Sequence, residues 1–381
     1  MSSKSYKLGD LITEYDEVNK NGEFNDISSL QGINNNKCFQ ECKSNKNDID
    51  LTRYKICRKG MFAYNRATSR NGEKISIALR EGDDCLISPS YYCFQIYRKD
   101  IILPEYLLLF FKQPIFDKYA RFNSWGSATE FFSFNDFCMT SIQVPSMEKQ
   151  KSIVKKYKII EERIRILKKI NELLEQKSLY LYNYFFVEFG KSKGKIPNNW
   201  SVVKISDVAN VTRGASPRPI DDYMSENGMP WVKIADATSS VSKYIRKTEG
   251  FIIDEGVEHS RIVEKGTMIV SNSASPGLPM IMDIRACVHD GWLIIKDFNL
   301  VSQEYMYYHI LSQRKKLIAS SNGSIFNNLK TDIVKNHTIV VPDSNTMDEI
   351  TKYFKKVNGI IYNNSMEIEK LEELSCNLIN R

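Results

Sequence analysis

The sequence predicts a mixed α/β (α+β) protein in which two similar globular domains are separated by two long helices. The helices are expected to form an antiparallel coiled coil within a pseudo-two-fold internal repeat. The chain has 381 residues, 42% hydrophobic and 26% charged, a composition typical of soluble proteins and long enough for two domains. Short motifs recur at a nearly constant offset, and each copy ends in a heptad pattern of apolar residues.

The internal repeat has an offset of 197 residues. Between its outer motifs the offset shifts to 206, where Lys59–Phe62 matches Lys265–Met268, so insertions and deletions within each copy nearly cancel. The shared order of the motifs and the return to one offset indicate a duplicated domain. The segments that share the offset of 197 are residues 8–11 with 205–208, 126–127 with 323–324, and 144–145 with 341–342.

Each globular copy combines short strands with helix. The run Cys85–Tyr97 alternates β-rich stretches with a Ser-Pro-Ser turn signal. A helical stretch starts at Glu105 in the first copy and at Glu304 in the second. Both copies are therefore predicted to be mixed α/β domains.

A seam of apolar residues, spaced alternately three and four positions apart as in a coiled-coil heptad, follows each globular copy. A seam of this kind needs a partner helix, and two seams in one chain can pair with each other. Asn171 and Asn364 each place one polar residue in a seam, as register-fixing residues of coiled coils do. The alternative is two unrelated amphipathic helices, each packed on its own domain. The predicted seam residues are Ile153, Tyr157, Ile160, Ile164, Leu167 and Leu174 in the first helix, and Ile350, Phe354, Val357, Ile361, Ile368 and Leu371 in the second.

These patterns predict four segments. The first helix starts at Met147 and precedes a linker rich in Gly, Lys and Ser. At about 1.5 Å per residue it would span roughly 60 Å, more than a single domain needs for its core, so we interpret it as a spacer. The predicted boundaries are 1–146 for the first domain, 147–190 for the first helix, 191–342 for the linker and second domain, and 343–381 for the second helix.

The positive charge is concentrated in one segment. The net charge of the chain is +7, and residues 147–195 alone carry 13 Lys and Arg against 6 Asp and Glu. The globular parts are close to neutral, which excludes a protein that coats nucleic acid by charge alone. Any DNA binding must depend on local Arg and Lys patches, on the basic segment or on a partner.

No motif indicates catalysis, a metal or a membrane. Gly190-Lys191-Ser192 resembles the end of a phosphate-binding loop, but Phe185 occupies the position of its first glycine. The sequence has no H-E-x-x-H motif, and its one G-x-S-x-G match, Gly190–Gly194, lies in the linker rich in Gly, Lys and Ser rather than in a turn between a strand and a helix. Cys38 and Cys42 lack a second Cys/His pair at zinc-finger spacing, so reduced thiols are favoured over zinc. Without a long apolar run or an apolar N-terminal region, the chain is expected to be a cytoplasmic protein without a catalytic site.

Polar loops with Arg, Asn and aromatic residues are the candidate DNA contacts. Arg can bond guanine with two hydrogen bonds, and Asn can bond adenine in the same way in the major groove. The alternative for each loop is an ordinary exposed turn, but the loops recur at equivalent places in both copies. The candidates are Asn65, Arg66, Arg70, Asn71 and Trp125 in the first copy, and Arg213, Ser216, Arg218, Asn272 and Asn322 in the second.

The sequence resembles the specificity subunits of type I restriction–modification systems over essentially its whole length. The resemblance depends on Val144–Lys151 at the start of the first helix, Ile196–Trp200 at the start of the second copy, and the loops Thr212–Pro217 and Gly323–Ser324. The start of the second helix, Pro342–Met347, lacks the Glu-x-Gln pattern of the first. The resemblance implies that each copy is a target-recognition domain reading half of a split, non-palindromic sequence in double-stranded DNA.

The same resemblance implies partners and assigns the chemistry to them. The helices would set the spacing of the two half-sites and bind the modification subunits, which use S-adenosylmethionine to methylate adenine. A restriction subunit would supply ATP- and Mg-dependent cleavage. This chain would hold no cofactor of its own. The alternatives are the recognition subunit of a type IIB-like or solitary methyltransferase complex, and a two-repeat scaffold that binds proteins.

Overall fold

The computed structural model describes residues 3–42, 49–68, 74–127, 129–320 and 328–379. The chain divides into two compact units. Unit 1 comprises Met1–Glu162 and Leu371–Arg381, and unit 2 comprises Arg163–Lys370.

The first globular domain, in unit 1, is built on an antiparallel sheet with strand order β2-β9-β6-β7. Phe62, Phe94, Phe111 and Phe137 are fully buried in one cluster between this sheet and the helices, which gives the domain an aromatic core. Its elements are β1 (Lys4–Lys7), β2 (Ile12–Glu14), β3 (Gln31–Ile33), β4 (Phe39–Glu41), β5 (Lys55–Cys57), β6 (Phe62–Asn65), β7 (Ile77–Leu79), β8 (Cys85–Ile87), β9 (Tyr91–Ile96), α1 (Pro104–Phe111), α2 (Pro114–Phe122), α3 (Phe134–Cys138) and β10 (Ser141–Val144).

The second globular domain, in unit 2, has the sheet order β12-β21-β18-β19-β15 and a second five-stranded sheet, β13-β16-β14-β20-β17. Its elements, after helix α4 (Met147–Phe186), are β11 (Ser201–Lys204), α5 (Ile205–Val208), β12 (Asn210–Arg213), β13 (Met224–Ser225), β14 (Met229–Val232), α6 (Ile234–Ser239), β15 (Tyr244–Ile245), β16 (Gly250–Ile252), α7 (Asp254–Val257), β17 (Arg261–Val263), β18 (Met268–Ser271), β19 (Pro279–Met282), β20 (Ala286–Val288), β21 (Trp292–Lys296), α8 (Gln303–Ala319), α9 (Thr331–Asn336) and β22 (Thr338–Val341). Helix α10 (Ser344–Ile379) ends the described chain.

The two domains repeat one topology at the predicted offset. Strand β1 pairs with β10 so that Lys4 lies opposite Val144, and β11 pairs with β22 so that Ser201 lies opposite Val341. Ser201 comes 197 residues after Lys4, and Val341 comes 197 residues after Val144. The sheet order β2-β9-β6-β7 of the first domain likewise corresponds to β12-β21-β18-β19 of the second, where the same sheet has β15 as an additional edge strand.

The two long helices pair in antiparallel orientation. In unit 2, Asn364 Nδ2 donates to Asn171 Oδ1 at 2.8 Å, and Arg163 Nε lies 2.8 Å from Glu367 Oε1. In unit 1, Ser375 Oγ donates to Glu161 Oε1 at 3.1 Å. Later residues of one helix thus meet earlier residues of the other, as antiparallel pairing requires. The predicted mixed α/β fold with duplicated domains and a coiled coil is confirmed.

The seam positions face the helix pair or the domain beside it. Phe354 packs on Tyr308 with ring centroids 4.3 Å apart, and Lys112 Nζ donates to the Tyr157 hydroxyl at 2.7 Å. Helix α4 therefore also contacts the first domain within unit 1, and helix α10 contacts the second domain within unit 2. Of the predicted seam residues, the buried ones are Ile164, Leu167, Phe354, Val357, Ile361 and Ile368, and the half-buried ones are Ile153, Tyr157, Ile160, Leu174, Ile350 and Leu371.

Helix α4 ends at Phe186, before the predicted boundary at residue 190. The backbone N–H groups of Val187 and Glu188 both donate to the carbonyl oxygen of Asn183, and Phe189 has a left-handed φ of 53°. A non-glycine residue in that conformation interrupts a right-handed helix. The chain therefore leaves the helix axis before the glycine that the sequence suggests as its end.

Candidate nucleic-acid interface

In the first domain, the Arg66 guanidinium lies over two aromatic rings. It follows directly after strand β6, and its guanidinium lies 5.2 Å from the Phe131 ring centre and 5.9 Å from that of Tyr92. The backbone fixes this arrangement because Phe132 N donates to Arg66 O at 2.8 Å. Stacking on the faces of a guanidinium leaves its N–H edge free for hydrogen bonds in the plane. Arg66 is exposed, so this edge is accessible to a ligand.

Asn65 and Trp125 lie near this arginine. The Asn65 Oδ1 accepts a hydrogen bond from Ala67 N at 3.1 Å, which makes Asn65 part of the turn that presents Arg66. Trp125 is 69% exposed and exchanges two backbone hydrogen bonds with Phe131, at 2.9 and 3.1 Å. Gly126 follows at φ 152°, where a Cβ atom would collide with the Thr129 carbonyl oxygen. The tight turn thus requires glycine, and it leaves the Trp125 indole exposed.

Three of the candidate residues, Arg70, Asn71 and Asn322, lie outside the described residues. Their predicted contacts with DNA stay predictions.

In the second domain, the candidate residues converge on one carboxylate, that of Asp290. Ser216 Oγ donates to Asp290 Oδ1 at 2.8 Å, and Arg218 Nη2 lies 3.2 Å from Asp290 Oδ2. Arg213 Nε donates to the Asp290 carbonyl oxygen at 2.7 Å, and Arg213 Nη2 lies 3.5 Å from Oδ2. The sequence places these residues 72 to 77 positions apart. The fold brings them together because β12 and β21 are neighbours in the sheet.

Asn272 supports this cluster from inside. It is only 4% exposed and donates through Nδ2 to the Asp290 carbonyl oxygen at 2.8 Å. Its backbone N–H donates to Gly291 O, and its carbonyl accepts from Leu329 N. The Asn272 amide therefore holds the turn that carries Asp290 rather than being open to solvent.

Asp290 is ionised at neutral pH. Burial acts to raise the pKa of its carboxyl group, but the Ser216 hydrogen bond and the charges of Arg218 and Arg213 outweigh burial and hold the pKa below its usual value. Burial lowers the pKa of the neighbouring His289, so its ring is neutral at pH 7. The cluster therefore combines two guanidinium groups with one carboxylate. Arg213 and Arg218 remain more than half exposed.

Sequence reasoning missed Asp290, Tyr92 and Phe131. Asp290 lies in a His-Asp-Gly turn that indicates nothing more than a turn, and the two aromatic residues read as core. A usable signal existed for Tyr92, since it lies in the β-rich run that follows the Ser-Pro-Ser turn. For Asp290 the sequence carries no comparable signal, because its partners lie on a different strand.

Other kinds of site find no support in the described part of the chain. Within the residues that the structure describes, no group of three or more His, Cys, Asp and Glu side chains could hold a metal ion. A helix both long and apolar enough to cross a membrane is likewise not found among those residues.

Comparison with known proteins identifies the family. The profile of the type I restriction modification DNA specificity domain matches residues 13–176 and again residues 197–373. The specificity subunit of the type I restriction enzyme MjaIX from Methanocaldococcus jannaschii is 29% identical over 192 residues, which are 49% of this chain and 44% of that protein. The HindI specificity subunit from Haemophilus influenzae is 25% identical over 200 residues, 50% of this chain and 42% of that protein. The matches thus span less than half the length of these two relatives.

A solved structure shows the same fold. The crystal structure of a type I restriction–modification S subunit from M. genitalium matches with a TM-score of 0.59 at 13% identity, covering 100% of this chain and 95% of that one. At this identity the similarity is one of fold. Together with the two matches to the family profile, it leads to one conclusion: this chain belongs to the family of the type I restriction modification DNA specificity domain and carries two copies of it.

Proposed function

We propose that this chain is the DNA-recognition subunit of a type I restriction–modification complex and reads a bipartite, non-palindromic target, one half with each domain. The observation that carries the proposal is an exposed arginine beside the start of the equivalent strand in both domains, β9 in the first and β21 in the second, on opposite sides of that strand. Arg66 follows β6 where it meets the start of β9, and Arg213 ends β12 where it meets the start of β21. Because the two sites differ in detail, two different half-sites are expected.

Both sites suit contact with base edges. Arg66, Arg213 and Arg218 are exposed, and stacking or a carboxylate holds each in place. An arginine with a fixed orientation can discriminate guanine from other bases through its two acceptors, at about 1–3 kcal/mol per good pair. Trp125 and the turn residue Asn65 would contact the DNA next to Arg66, while Ser216 and Asn272 hold the second site.

We infer that the helices bind the modification subunits. In unit 2, helix α4 carries a second apolar stripe outside the seam, at heptad spacing: Ile166, Ile170, Leu173 and Tyr180. All four side chains are exposed, between 39% and 66%. A heptad stripe left in solvent favours packing of a further helix from a partner.

In this proposal the chain contributes recognition, and its partners contribute chemistry. It has no active site, and it works in the cytoplasm with modification subunits that hold S-adenosylmethionine and a restriction subunit that holds ATP and Mg²⁺. Its segments are the domains 1–146 and 191–342 and the spacer segments 147–190 and 343–381, which contain helices α4 and α10. The relatives named as type I specificity subunits support this assignment.

The test is a map of methylated adenine in the host genome by long-read sequencing, with the gene present and deleted. The proposal expects a split, non-palindromic motif that disappears on deletion and returns on complementation. An unchanged map would contradict it and favour the protein-binding scaffold. Complementation with Arg66→Ala should return a motif in which only one half has become degenerate.

A further inference from the structure

We propose that Asp290 determines the specificity of the second domain by holding Arg213 and Arg218 in position and opposing their attraction to DNA phosphates. The proposal rests on the proposed function, since it presumes that this domain reads DNA. Asp290 would be a positioning residue, which acts on bases through the two arginines. Its effect would be to make binding depend on the base edges rather than on the phosphate backbone.

The contacts of Asp290 restrain both Arg213 and Arg218. Asp290 Oδ2 lies 3.2 Å from Arg218 Nη2 and 3.5 Å from Arg213 Nη2, while Oδ1 accepts from Ser216. The main-chain carbonyl of Asp290 accepts from both Arg213 Nε and Asn272 Nδ2. Arg213 is thus bonded to the backbone and close to the side chain of one residue, which restricts the plane of its guanidinium.

The turn that carries Asp290 cannot easily move. A Cβ atom on Gly214 would collide with the carbonyl oxygen of His289, and one on Gly291 would collide with the His289 ring. Gly291 N also donates to His289 Nδ1 at 2.8 Å. These close contacts fix the backbone of the turn and Ser216 holds the carboxylate, so the arginines are positioned before DNA binds.

The charges explain why this arrangement favours bases over phosphates. Two guanidinium groups and one carboxylate leave a net charge of +1, with His289 neutral. A phosphate must compete with the Asp290 carboxylate for the arginines and is repelled by it, whereas the acceptors of guanine are uncharged. Asp290 therefore weakens the attraction to phosphates at every sequence, and only the correct sequence regains affinity, through base contacts with the positioned arginines.

The experiment uses the chain assembled with its modification subunits, with Asp290→Asn as the variant. Asn is similar in size and keeps one oxygen acceptor but loses the charge. The probes are duplexes carrying the methylation-mapped target, the target with its second half scrambled, and the target with its first half scrambled. We expect Asp290→Asn to bind the duplex with the scrambled second half at least fivefold more tightly than wild type. Discrimination of the second half should fall at least tenfold, with discrimination of the first half unchanged.

The matched control is Asp297→Asn at the other end of the same strand pair. Asp297 accepts from Asn210 Nδ2 at 3.3 Å, so this variant makes the same change of charge away from the arginines. Its left-handed φ of 56° is a conformation that Asn tolerates well. We expect Asp297→Asn to retain wild-type discrimination of both halves.

Each result decides the question. If Asp290→Asn discriminates the second half as wild type does, or weakens binding to all three duplexes alike, the inference is wrong. If the wild-type complex itself prefers no sequence, the proposed function fails instead. Should Asp290→Asn melt well below wild type, Ser216→Ala is the second variant: it removes the two hydrogen bonds of the Ser216 hydroxyl with Asp290, one to the carboxylate and one from the backbone N–H, and leaves the charge. It should then lower discrimination of the second half several-fold, and unchanged discrimination would overturn the inference.

Discussion

At the scale of single residues, the two domains orient their arginines by different means. Arg66 makes cation–π contacts with Tyr92 and Phe131, whereas Arg213 and Arg218 are held by Asp290. Stacking restrains a guanidinium without neutralising it, while a carboxylate restrains it and offsets its charge. Arg66 should therefore keep its full attraction to phosphates, whereas that of Arg213 and Arg218 is partly offset.

Arg66→Lys tests whether stacking matters beyond charge. Lysine keeps the positive charge but lacks the planar group that stacks on two rings and bonds guanine with two N–H groups. We expect both Arg66→Lys and Arg66→Ala to lose about 1–3 kcal/mol of discrimination at the first half-site only. The measurement is the affinity of the assembled complex for duplexes substituted in each half. Arg53→Ala, at an 81% exposed side chain of the same domain, is the control; full discrimination by Arg66→Lys would show that stacking is irrelevant.

A buried histidine makes the stability of the second domain dependent on pH. His309 bonds the Tyr182 hydroxyl at 2.8 Å, and burial lowers its pKa from 6.5 to about 3. Below pH 6.5 the His309 ring of the unfolded chain therefore binds a proton, whereas in the folded domain it binds that proton only near pH 3. The stability that His309 contributes is complete above pH 6.5 and is lost progressively as the pH falls towards 3.

His309→Gln should remove this part of the pH dependence, because Gln is neutral at every pH and can still accept from Tyr182. Between pH 7 and pH 5 we expect the wild-type free energy of unfolding to fall about 2 kcal/mol more than that of the variant. Urea unfolding of both proteins at each pH measures the difference. Parallel curves for the two proteins would mean that His309 titrates normally in the folded state.

At the scale of elements, the helix pair combines an apolar seam with one polar layer. Asn171, Asn364 and Ser365 form hydrogen bonds across the two helices in unit 2, through Asn171 Oδ1 and Nδ2. The sequence pointed to Asn364 as the polar residue of the second seam. The structure buries its neighbour Ser365 and leaves Asn364 half-buried. A polar layer of this kind fixes the register, because any shift would leave these groups unpaired inside the seam.

Two adjacent isoleucines separate the seam from the outer face of helix α10. Ile361 is 1% exposed and Ile360 is 40% exposed. We expect Ile361→Asp to destabilise unit 2 by about 3 kcal/mol or more, since it buries a carboxylate without a partner. Ile360→Asp should cost less than about 1 kcal/mol. Thermal unfolding of both variants measures this contrast, and equal melting temperatures would contradict the assignment of the seam.

At the scale of the whole molecule, charge limits how the chain can bind DNA. The net charge of +7 equals that of residues 147–195, and the globular domains are nearly neutral. The exposed arginines of the two sites, Arg66, Arg213 and Arg218, are too few to bind a long stretch of backbone. The chain by itself is therefore expected to bind DNA weakly.

The salt dependence of binding tests this expectation. If only the three arginines neutralise phosphates, the slope of log K against log salt for the isolated chain should be about −3. The slope should steepen when the modification subunits are added, since they would bring further phosphate contacts. A slope near −10 for the isolated chain would instead show that the basic segment 147–195 lies on the DNA.

The sequence by itself determined the duplication with its offset and the pairing of the helices. The offset of 197 residues recurs in the pairing of Lys4 with Val144 and of Ser201 with Val341. The heptad seams likewise predict burial, because a helix repeats its buried face every seven residues whatever surrounds it. Such patterns are local, so a single sequence displays them.

Only the tertiary structure decided which charged groups meet. Two lysines at the offset of 206, Lys37 and Lys243, are buried in the two domains, one paired with Asp117 and the other with Glu175. Asp290 meets Arg213 across 77 residues of sequence. An ion pair produces no periodic pattern in the sequence, because its partners need to be close only in space. Its energy also depends on burial, which the whole fold creates. The sequence therefore indicated loops that could form each proposed recognition site, and the packing of strands β12 and β21 decided which groups meet in the second one.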